Sequence, residues 1–295
     1  MPQPPVAVVT GASAGVGRAT ARMLVQDGWR VIGIGRDPAR SAAAEAELRA
    51  VAAGASVDFV RADFTEMRQV RQAAEQVRAL TPRVTVLINN AGGIRDALYW
   101  TSEGLEATFA SNHLAPFLLT QELLPLLAAE AKEREPGAAR VIAVSSLGHA
   151  GCPAMNWADL NLSAAFTPSA AYCQAKLANL LFTLELQRRV APLGITAQAM
   201  HPGRVDSNFL EHADEALRRH RENSDGYVPP ERPAGTLLWM ATAPECGRDG
   251  GRYFHDLAEE TPAPQARDSA AALRLWQESE ALLARLDFPP RGQSR

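Results

Sequence analysis

Short runs rich in Val and Ile alternate with longer amphipathic segments along most of this chain. The apolar runs predict strands at 6–10, 30–35, 56–62, 84–89, 140–145, 194–200 and 251–254. The segments between them carry apolar residues at helical spacing, and two later helices are predicted at 232–242 and 268–286. In such βαβ units the right-handed crossovers place helices on both faces of a parallel sheet. The predicted fold class is therefore α/β, with one doubly wound parallel β-sheet.

The composition of the chain argues against several classes of function. With 46% hydrophobic and 21% charged residues, the 295-residue chain suits one globular domain. Its 30 basic and 33 acidic residues give a net charge of -3, so no overall field favours nucleic acid or an anionic membrane. The three cysteines follow no disulfide or metal-ligand pattern. There is no targeting signal and no continuously apolar run of 18 residues, so we expect a cytoplasmic protein without a metal, nucleic-acid or membrane partner.

The first predicted strand leads directly into "TGASAGVG", which places Gly11, Gly15 and Gly17 in the turn that opens the first helix. Glycine lets the backbone approach a phosphate closely, and the N-terminus of a helix favours negative charge. The motif thus indicates a phosphate-binding turn. Its G-x-x-x-G-x-G spacing differs from the common dinucleotide fingerprint, so a purely structural turn is the alternative.

A second motif, "YCQAK", places Tyr172 and Lys176 four residues apart on a predicted helix. Residues at this spacing are neighbours on one helical face, so the phenol and the ammonium can share one site. The same spacing also suits a surface pair whose aliphatic stems lie along the helix. The pair alone does not separate these two interpretations.

Taken together, the motifs resemble those of the short-chain dehydrogenase/reductase family. They occur in the family's order: "TGASAGVG" at 10–17, "NNAG" at 89–92, "SNHLAPF" at 111–117, "VSS" at 144–146, "YCQAK" at 172–176 and "HPG" at 201–203. The stretches "FASNHLAPFLLT" and "AKLANLLF" are most similar to the retinol-dehydrogenase-like branch. The resemblance covers nearly all of 5–255. It implies a single-domain Rossmann fold over 1–295, with a cofactor half at about 5–140, a catalytic and substrate half at about 141–260, and a C-terminal helical extension at about 261–295.

The resemblance also implies a catalytic tetrad, Asn112, Ser146, Tyr172 and Lys176. Tyr172 would be the acid/base, because a nearby ammonium stabilises the phenolate of a group whose ordinary pKa is about 10. Lys176 would supply that charge and bind the nicotinamide ribose, while Ser146 would hold the substrate oxygen. Asn112 would anchor a water linked to the lysine, or could merely satisfy backbone groups.

Further residues would bind the cofactor by the same resemblance. They are Gly11, Ser13, Gly15, Val16, Gly17, Arg36, Asp63, Phe64, Asn90, Ala91, Gly92, Tyr172, Lys176, Pro202, Gly203, Val205 and Ser207. Asp63 could instead cap the following helix.

The end of the second strand bears on which cofactor is bound. Gly35 stands where an NAD-selective enzyme usually has an acid, and Arg36 follows, a residue type that receives the 2′-phosphate of NADP. Asp37 before Pro38 is typical of a helix N-cap. We therefore expect NADP(H) rather than NAD(H).

The leading hypothesis is an NADP(H)-dependent oxidoreductase acting on a small, hydrophobic or aromatic alcohol and its ketone or aldehyde. Candidate substrate residues are Ser146, Trp157, Tyr172, Arg204 and Phe209; ordinary core packing is the alternative for the apolar ones. The other hypothesis is a non-catalytic cofactor-binding sensor or scaffold on the same fold, against which the complete tetrad argues. The resemblance further implies a homodimer or homotetramer.

Overall fold

The computed structural model describes residues 4–206 and 226–288. Within them the strands form one sheet in the order β3-β2-β1-β4-β5-β6-β7-β8. The strands are β1 (Val6–Thr10), β2 (Arg30–Gly35), β3 (Val57–Arg61), β4 (Val86–Asn89), β5 (Ala139–Val144), β6 (Ile195–Met200), β7 (Tyr253–His255) and β8 (Ala258–Glu260). All neighbouring pairs up to β7 are parallel, and only β8 runs antiparallel, beside β7. The predicted α/β class with a doubly wound parallel sheet is confirmed.

Strand β8 was not predicted, and its sequence explains why. It reads Ala-Glu-Glu, is exposed at all three residues and lies at the sheet edge, so it has no apolar signal. Charged residues are common on edge strands because they discourage pairing with another chain. The turn into it places Asp256 and Leu257 at φ 47° and 65°, which suits the two-residue hairpin between antiparallel strands.

Helices cover both faces of the sheet. They are α1 (Gly15–Gln26), α2 (Pro38–Val51), α3 (Met67–Leu80), α4 (Ala107–Phe109), α5 (Ala115–Ala131), α6 (Pro168–Val190), α7 (Glu231–Thr242), α8 (Pro244–Arg248) and α9 (Ser269–Arg285). One apolar core lies between the sheet and α3, α5, α6 and α9, and a second lies under α1, α2, α7 and α8. The helices predicted at 232–242 and 268–286 are thus present with nearly the expected bounds.

Helix α4, a π-helical turn (Ala110–Leu114) and α5 follow one another without a break. The combined stretch Ala107–Ala131 is long and apolar enough to cross a membrane by length and composition. Two-thirds of its most apolar window is buried inside the protein, against α3 and the sheet. Such burial is the pattern of a core helix.

The C-terminal helix α9 packs along α6. The indole of Trp276 meets the ring of Phe117 edge-on at 4.8 Å between centroids and stacks on Phe182 at 5.9 Å. The guanidinium of Arg189 lies 4.2 Å above the same indole. Nearby, His113 donates or accepts one hydrogen bond with Ser279 at 2.8 Å, and burial lowers its pKa to about 3. This face of α6 is therefore covered by the chain itself.

Candidate active site

The strand order reverses between β1 and β4, and a cavity of about 500 Å³ opens beside the carboxyl ends of these strands. Such a switch point is where open α/β sheets bind ligands. Three groups of predicted residues line it. The glycine-rich turn and the end of β4 contribute Gly11, Ser13, Gly15, Val16, Asn90, Ala91 and Gly92. The ends of β2 and β3 contribute Arg36, Asp63 and Phe64, and the far side carries Ser146, Tyr172, Lys176, Pro202, Gly203, Arg204 and Val205.

The glycine-rich turn has the shape of a phosphate cradle. Gly11 and Gly15 have φ of 69° and 51°, values that side-chain-bearing residues rarely adopt. A Cβ on Gly11 would lie 2.9 Å from Asn90 Nδ2, and one on Gly17 would clash with the Gly11 carbonyl oxygen. Gly17 therefore packs the turn and does not line the cavity. Ala14, the N-cap of α1, makes no side-chain cap, so the helix N-terminus is available to an anion.

Two asparagines, the last residue of β4 and the residue that follows it, brace this cradle. The backbone amides of Asn90 and Ala91 both donate to Thr10 Oγ1 at 2.9 Å, and Asn90 Nδ2 donates to the Thr10 carbonyl oxygen at 2.8 Å. Asn89 is buried and donates to Thr120 Oγ1 at 3.0 Å. The bonds to Thr10 tie the end of β1 to the end of β4. They hold in place the glycine-rich turn that would bind a dinucleotide.

The acids near the second and third strands serve the backbone. Asp37 Oδ1 accepts from the Arg40 amide at 2.8 Å and caps α2, with Pro38 in the first turn, as the sequence predicts. Asp63 does not cap α3, whose N-cap is Glu66. Instead its Oδ1 accepts from the Thr65 amide at 3.0 Å and hydroxyl at 2.8 Å, while the residue still lines the cavity.

Two arginines that sequence reasoning missed also line this end of the cavity, Arg40 and Arg95. Arg40 lies in the first turn of α2, four residues after Arg36, and this closeness in sequence could have signalled it. Burial lowers the pKa of Arg95, and the neighbouring charge of Arg36 lowers it further. Like charges held this close favour the binding of an anion between them.

The catalytic pair lies on α6, whose first turn is set by Thr167 as N-cap and Pro168. Lys176 is buried, and its Nζ donates to the Val144 carbonyl oxygen at 3.0 Å. The same Nζ lies 5.5 Å from the centre of the Tyr172 ring. The Ser146 side chain is hydrogen-bonded to the Tyr172 phenol, so three of the predicted tetrad meet at one point.

The electrostatics of this pair differ from the sequence expectation. Burial raises the pKa of Tyr172, and the hydrogen bond with Ser146 offsets only part of this rise. Burial also lowers the pKa of Lys176 to about 8. The expected lowering of the Tyr172 pKa by Lys176 is therefore not realised in the protein alone, where burial dominates. The phenol stays protonated at neutral pH, which suits a proton donor.

Asn112 lies in the π-helical turn and does not line the cavity. Its Oδ1 accepts from the Gly93 amide at 3.1 Å, and its Nδ2 donates to the carbonyl oxygens of Gly93 and Thr108 at 2.9 Å. A Cβ on Gly92 would lie 2.5 Å from this Oδ1 and 3.5 Å from Lys176 Nζ. The alternative that Asn112 satisfies backbone groups is therefore realised, and its link to a water stays a prediction.

The predicted substrate residues do not all converge. Arg204 lines the cavity, whereas Trp157 does not: its indole packs on the core beneath α9, with Arg274 above it at 4.5 Å. The segment before α6 packs against the C-terminal helix here, a contact that local sequence does not reveal, and the role of Trp157 toward substrate stays a prediction. Ser207 and Phe209 lie outside the described residues.

One cluster has metal-ligand chemistry, formed in the described part of the chain by His201, His255 and Glu260. The two imidazoles stack at 4.0 Å with 13° between their planes. Their lone pairs therefore lie in two nearly parallel planes, an arrangement that does not suit tetrahedral ligation of one ion. His201 Nε2 is hydrogen-bonded to Glu260 at 2.9 Å, and His255 Nδ1 to the His201 carbonyl oxygen at 3.1 Å. The cluster is a hydrogen-bonded stack beneath Pro202 and Gly203.

Comparison with known proteins agrees with this site. The family described as short chain dehydrogenase matches residues 5–218. The chain is 39% identical to mouse polyprenol dehydrogenase, covering 94% of this chain and 83% of that protein. It is 35% identical to human retinol dehydrogenase 13 with the same coverage.

Solved structures show the same architecture. A crystal structure of an uncharacterised protein from Mycobacterium paratuberculosis superposes with a TM-score of 0.73 at 31% identity, over 95% of this chain and 93% of that one. An active-site complex of Pseudomonas aeruginosa RhlG with NADP gives a TM-score of 0.68 at 26% identity, over 85% and 93%. With the cradle, the Ser-Tyr-Lys cluster and these similarities in agreement, the chain belongs to the short-chain dehydrogenase family and is an NAD(P)-dependent oxidoreductase acting on CH–OH groups.

Proposed function

We propose that the protein is an NADP(H)-dependent enzyme that interconverts a small, hydrophobic or aromatic alcohol and its ketone or aldehyde, with Tyr172 as the acid/base. The observation that carries this proposal is the meeting of the Ser146 hydroxyl, the Tyr172 phenol and the Lys176 ammonium on one side of the cavity that starts at the glycine-rich turn. A cofactor-binding sensor would not need all three groups at one point.

The roles of these groups follow from their positions. When bound, the nicotinamide supplies or accepts the hydride at the substrate carbon. Ser146 holds the substrate oxygen beside the phenol, and Tyr172 gives its proton to that oxygen during reduction and takes it back during oxidation. Lys176 stabilises the phenolate that reduction leaves behind, because its charge is then close and shielded from water.

The preference for NADP(H) rests on the end of β2. A Cβ on Gly35 would lie 2.5 Å from Ser41 Oγ and 3.2 Å from Ser13 Oγ, so an acid that binds the 2′-hydroxyl has no room there. The carboxylate of Asp37 is engaged in capping α2. Arg36 and Arg40 line this end of the cavity, and guanidinium groups suit a 2′-phosphate.

The same proposal extends to the substrate class, the cellular location and the partners. The relatives named polyprenol and retinol dehydrogenases act on long apolar alcohols by name, which supports an apolar substrate here. We propose a cytoplasmic enzyme without nucleic-acid or membrane partners. For a homodimer or homotetramer, the face of α6 covered by α9 is already buried, so pairing would use another surface.

The test is a fluorescence titration with NADPH and NADH, followed by turnover with decanal, citral, acetophenone and all-trans-retinal. NADPH should bind more tightly than NADH. Arg36→Ala should weaken NADPH binding by about 10-fold to 100-fold, because a charged hydrogen bond to phosphate is lost, and leave NADH within about twofold. Equal loss for both cofactors would refute the assigned role of Arg36. Tight NADPH binding without turnover of any carbonyl would support the sensor instead.

A further inference from the structure

The turn after Ser146 contains a histidine that the proposed chemistry does not use. His149 lies in the 3₁₀ turn Leu147–Gly151, is 2% exposed and does not line the cavity. Its Nδ1 lies 2.7 Å from the Ser146 carbonyl oxygen. Its Nε2 lies 3.1 Å from the backbone nitrogen of Ala263, in the segment that leads to α9. The imidazole therefore bridges the catalytic serine and the C-terminal part of the chain.

The partners fix the tautomer of this ring. A backbone N–H can only donate, so the Ala263 amide requires an unprotonated Nε2. A carbonyl oxygen can only accept, so Nδ1 carries the proton and donates to Ser146. The edge of the ring also meets Tyr253, with 5.4 Å between centroids and 80° between planes. His149 is thus held from three sides.

The bonds around Ser146 show what this bridge controls. The Ser146 carbonyl oxygen also accepts from the His149 amide at 3.1 Å. Ser146 Oγ accepts from the Gly148 amide at 3.0 Å, which sets the direction of the hydroxyl proton. A second tie lies close by, since Gln265 Nε2 donates to the Cys152 carbonyl oxygen at 2.9 Å. The segment around 263–265 therefore holds the serine turn at two points.

We infer that His149 is a positioning residue, which transfers the placement of the segment around Ala263 to Ser146 and so aims the serine hydroxyl at the substrate oxygen and Tyr172. The inference rests on the proposed role of Ser146 in turnover. It makes the C-terminal extension part of the catalytic scaffold, although none of the residues described between 261 and 288 lines the cavity.

Three substitutions at His149 remove its two hydrogen bonds one at a time or together. His149→Asn retains a donor where Nδ1 stands, and His149→Gln retains an acceptor where Nε2 stands, whereas His149→Leu removes both. We expect His149→Leu to lower kcat by about 10-fold to 100-fold, as misplacement of a reacting group does, with the Kd for NADPH within about twofold. His149→Asn, which keeps only the bond to Ser146, should recover part of kcat, and His149→Gln, which keeps only the bond to Ala263, should not, although both keep a polar side chain of similar size.

A fourth variant leaves His149 in place. Ala263 has φ of -54°, which proline adopts, so Ala263→Pro removes the N–H donor with little change in backbone conformation. It should lower kcat, as His149→Leu does, but by a smaller factor, because the bond from His149 to Ser146 remains.

Hydrogen exchange adds a readout that does not need a substrate. The Gly148 amide, bonded to Ser146 Oγ, should exchange faster in His149→Leu and His149→Gln than in the wild type, and His149→Asn should protect it in part. Wild-type kcat in His149→Leu, or unchanged exchange at Gly148, would overturn the inference. Absence of turnover in the wild type, with the exchange pattern as expected, would count against the proposed function alone.

Discussion

The charge on Lys176 should make the stability of the cofactor-free protein depend on pH. The residue is 4% exposed, and burial lowers its pKa to about 8 from the ordinary 10.5. Below pH 8 both the folded and the unfolded chains carry the ammonium, and the folded protein bears the full cost of burying it. Between pH 8 and 10.5 the folded protein releases this proton before the unfolded chain does. The free energy of unfolding should therefore rise with pH over this window.

The size of the rise follows from the two pKa values. Linkage gives about 2–3 kcal/mol of added stability between pH 7 and pH 10 from this one group. Other groups titrate in the same range, and the raised pKa values of Tyr172 and Tyr253 act in the opposite direction above pH 10. Lys176→Met removes the titrating group while retaining a long apolar stem, so the difference between the two proteins isolates Lys176.

The assay is urea unfolding of both proteins at pH 7, 8, 9 and 10 without cofactor. We expect the free energy of unfolding of the wild type, relative to that of Lys176→Met, to rise by about 2–3 kcal/mol from pH 7 to pH 10, with most of the rise above pH 8. A difference that stays constant across this range would refute the reasoning, because it would mean that Lys176 titrates alike in the folded and unfolded states. A difference that changes in the opposite sense would show that the folded state raises the pKa of Lys176.

Two further predictions concern packing. Gly92→Ala should lower the free energy of unfolding in urea by about 1–3 kcal/mol and weaken NADPH binding, because the new Cβ would lie 2.5 Å from Asn112 Oδ1. Unchanged stability would show that this loop can shift freely. Trp276→Ala should cost about 3–5 kcal/mol, since the indole is buried against Phe117. Trp100, which is 51% exposed, provides the control, and a similar loss in Trp100→Ala would contradict the assigned role of α9.

The sheet and the cofactor cradle could be predicted because their signals are local. Buried parallel strands need continuous apolar runs, so the runs gave β1 to β6 with bounds that differ by two residues at most. The cradle needs glycine at the position of Gly11, where φ is 69°. The placement of Tyr172 and Lys176 on one helix face follows from helical geometry.

The remaining features depend on contacts between distant segments. Trp157 is an aromatic residue of the kind that lines substrate pockets. Its position away from the cavity follows from its contact with Arg274, which is distant in sequence. Arg95 follows the family-like "NNAG" stretch without any periodic signal, and its position beside Arg36 arises from how the loop after β4 folds back. The partner of His149 lies 114 residues further along the chain. No local sequence pattern predicts a contact between residues so far apart in the chain.

The central claim is that Tyr172 transfers the proton during turnover, and Tyr172→Phe tests it most directly. The variant loses one hydroxyl, keeps the ring, and can be compared with the wild type for NADPH binding and for kcat on the best carbonyl substrate. We predict NADPH binding within about twofold and a kcat lower by about 10²-fold to 10⁴-fold, the contribution expected of a positioned acid/base. A Tyr172→Phe protein that binds NADPH and turns over at a rate near that of the wild type would contradict the account.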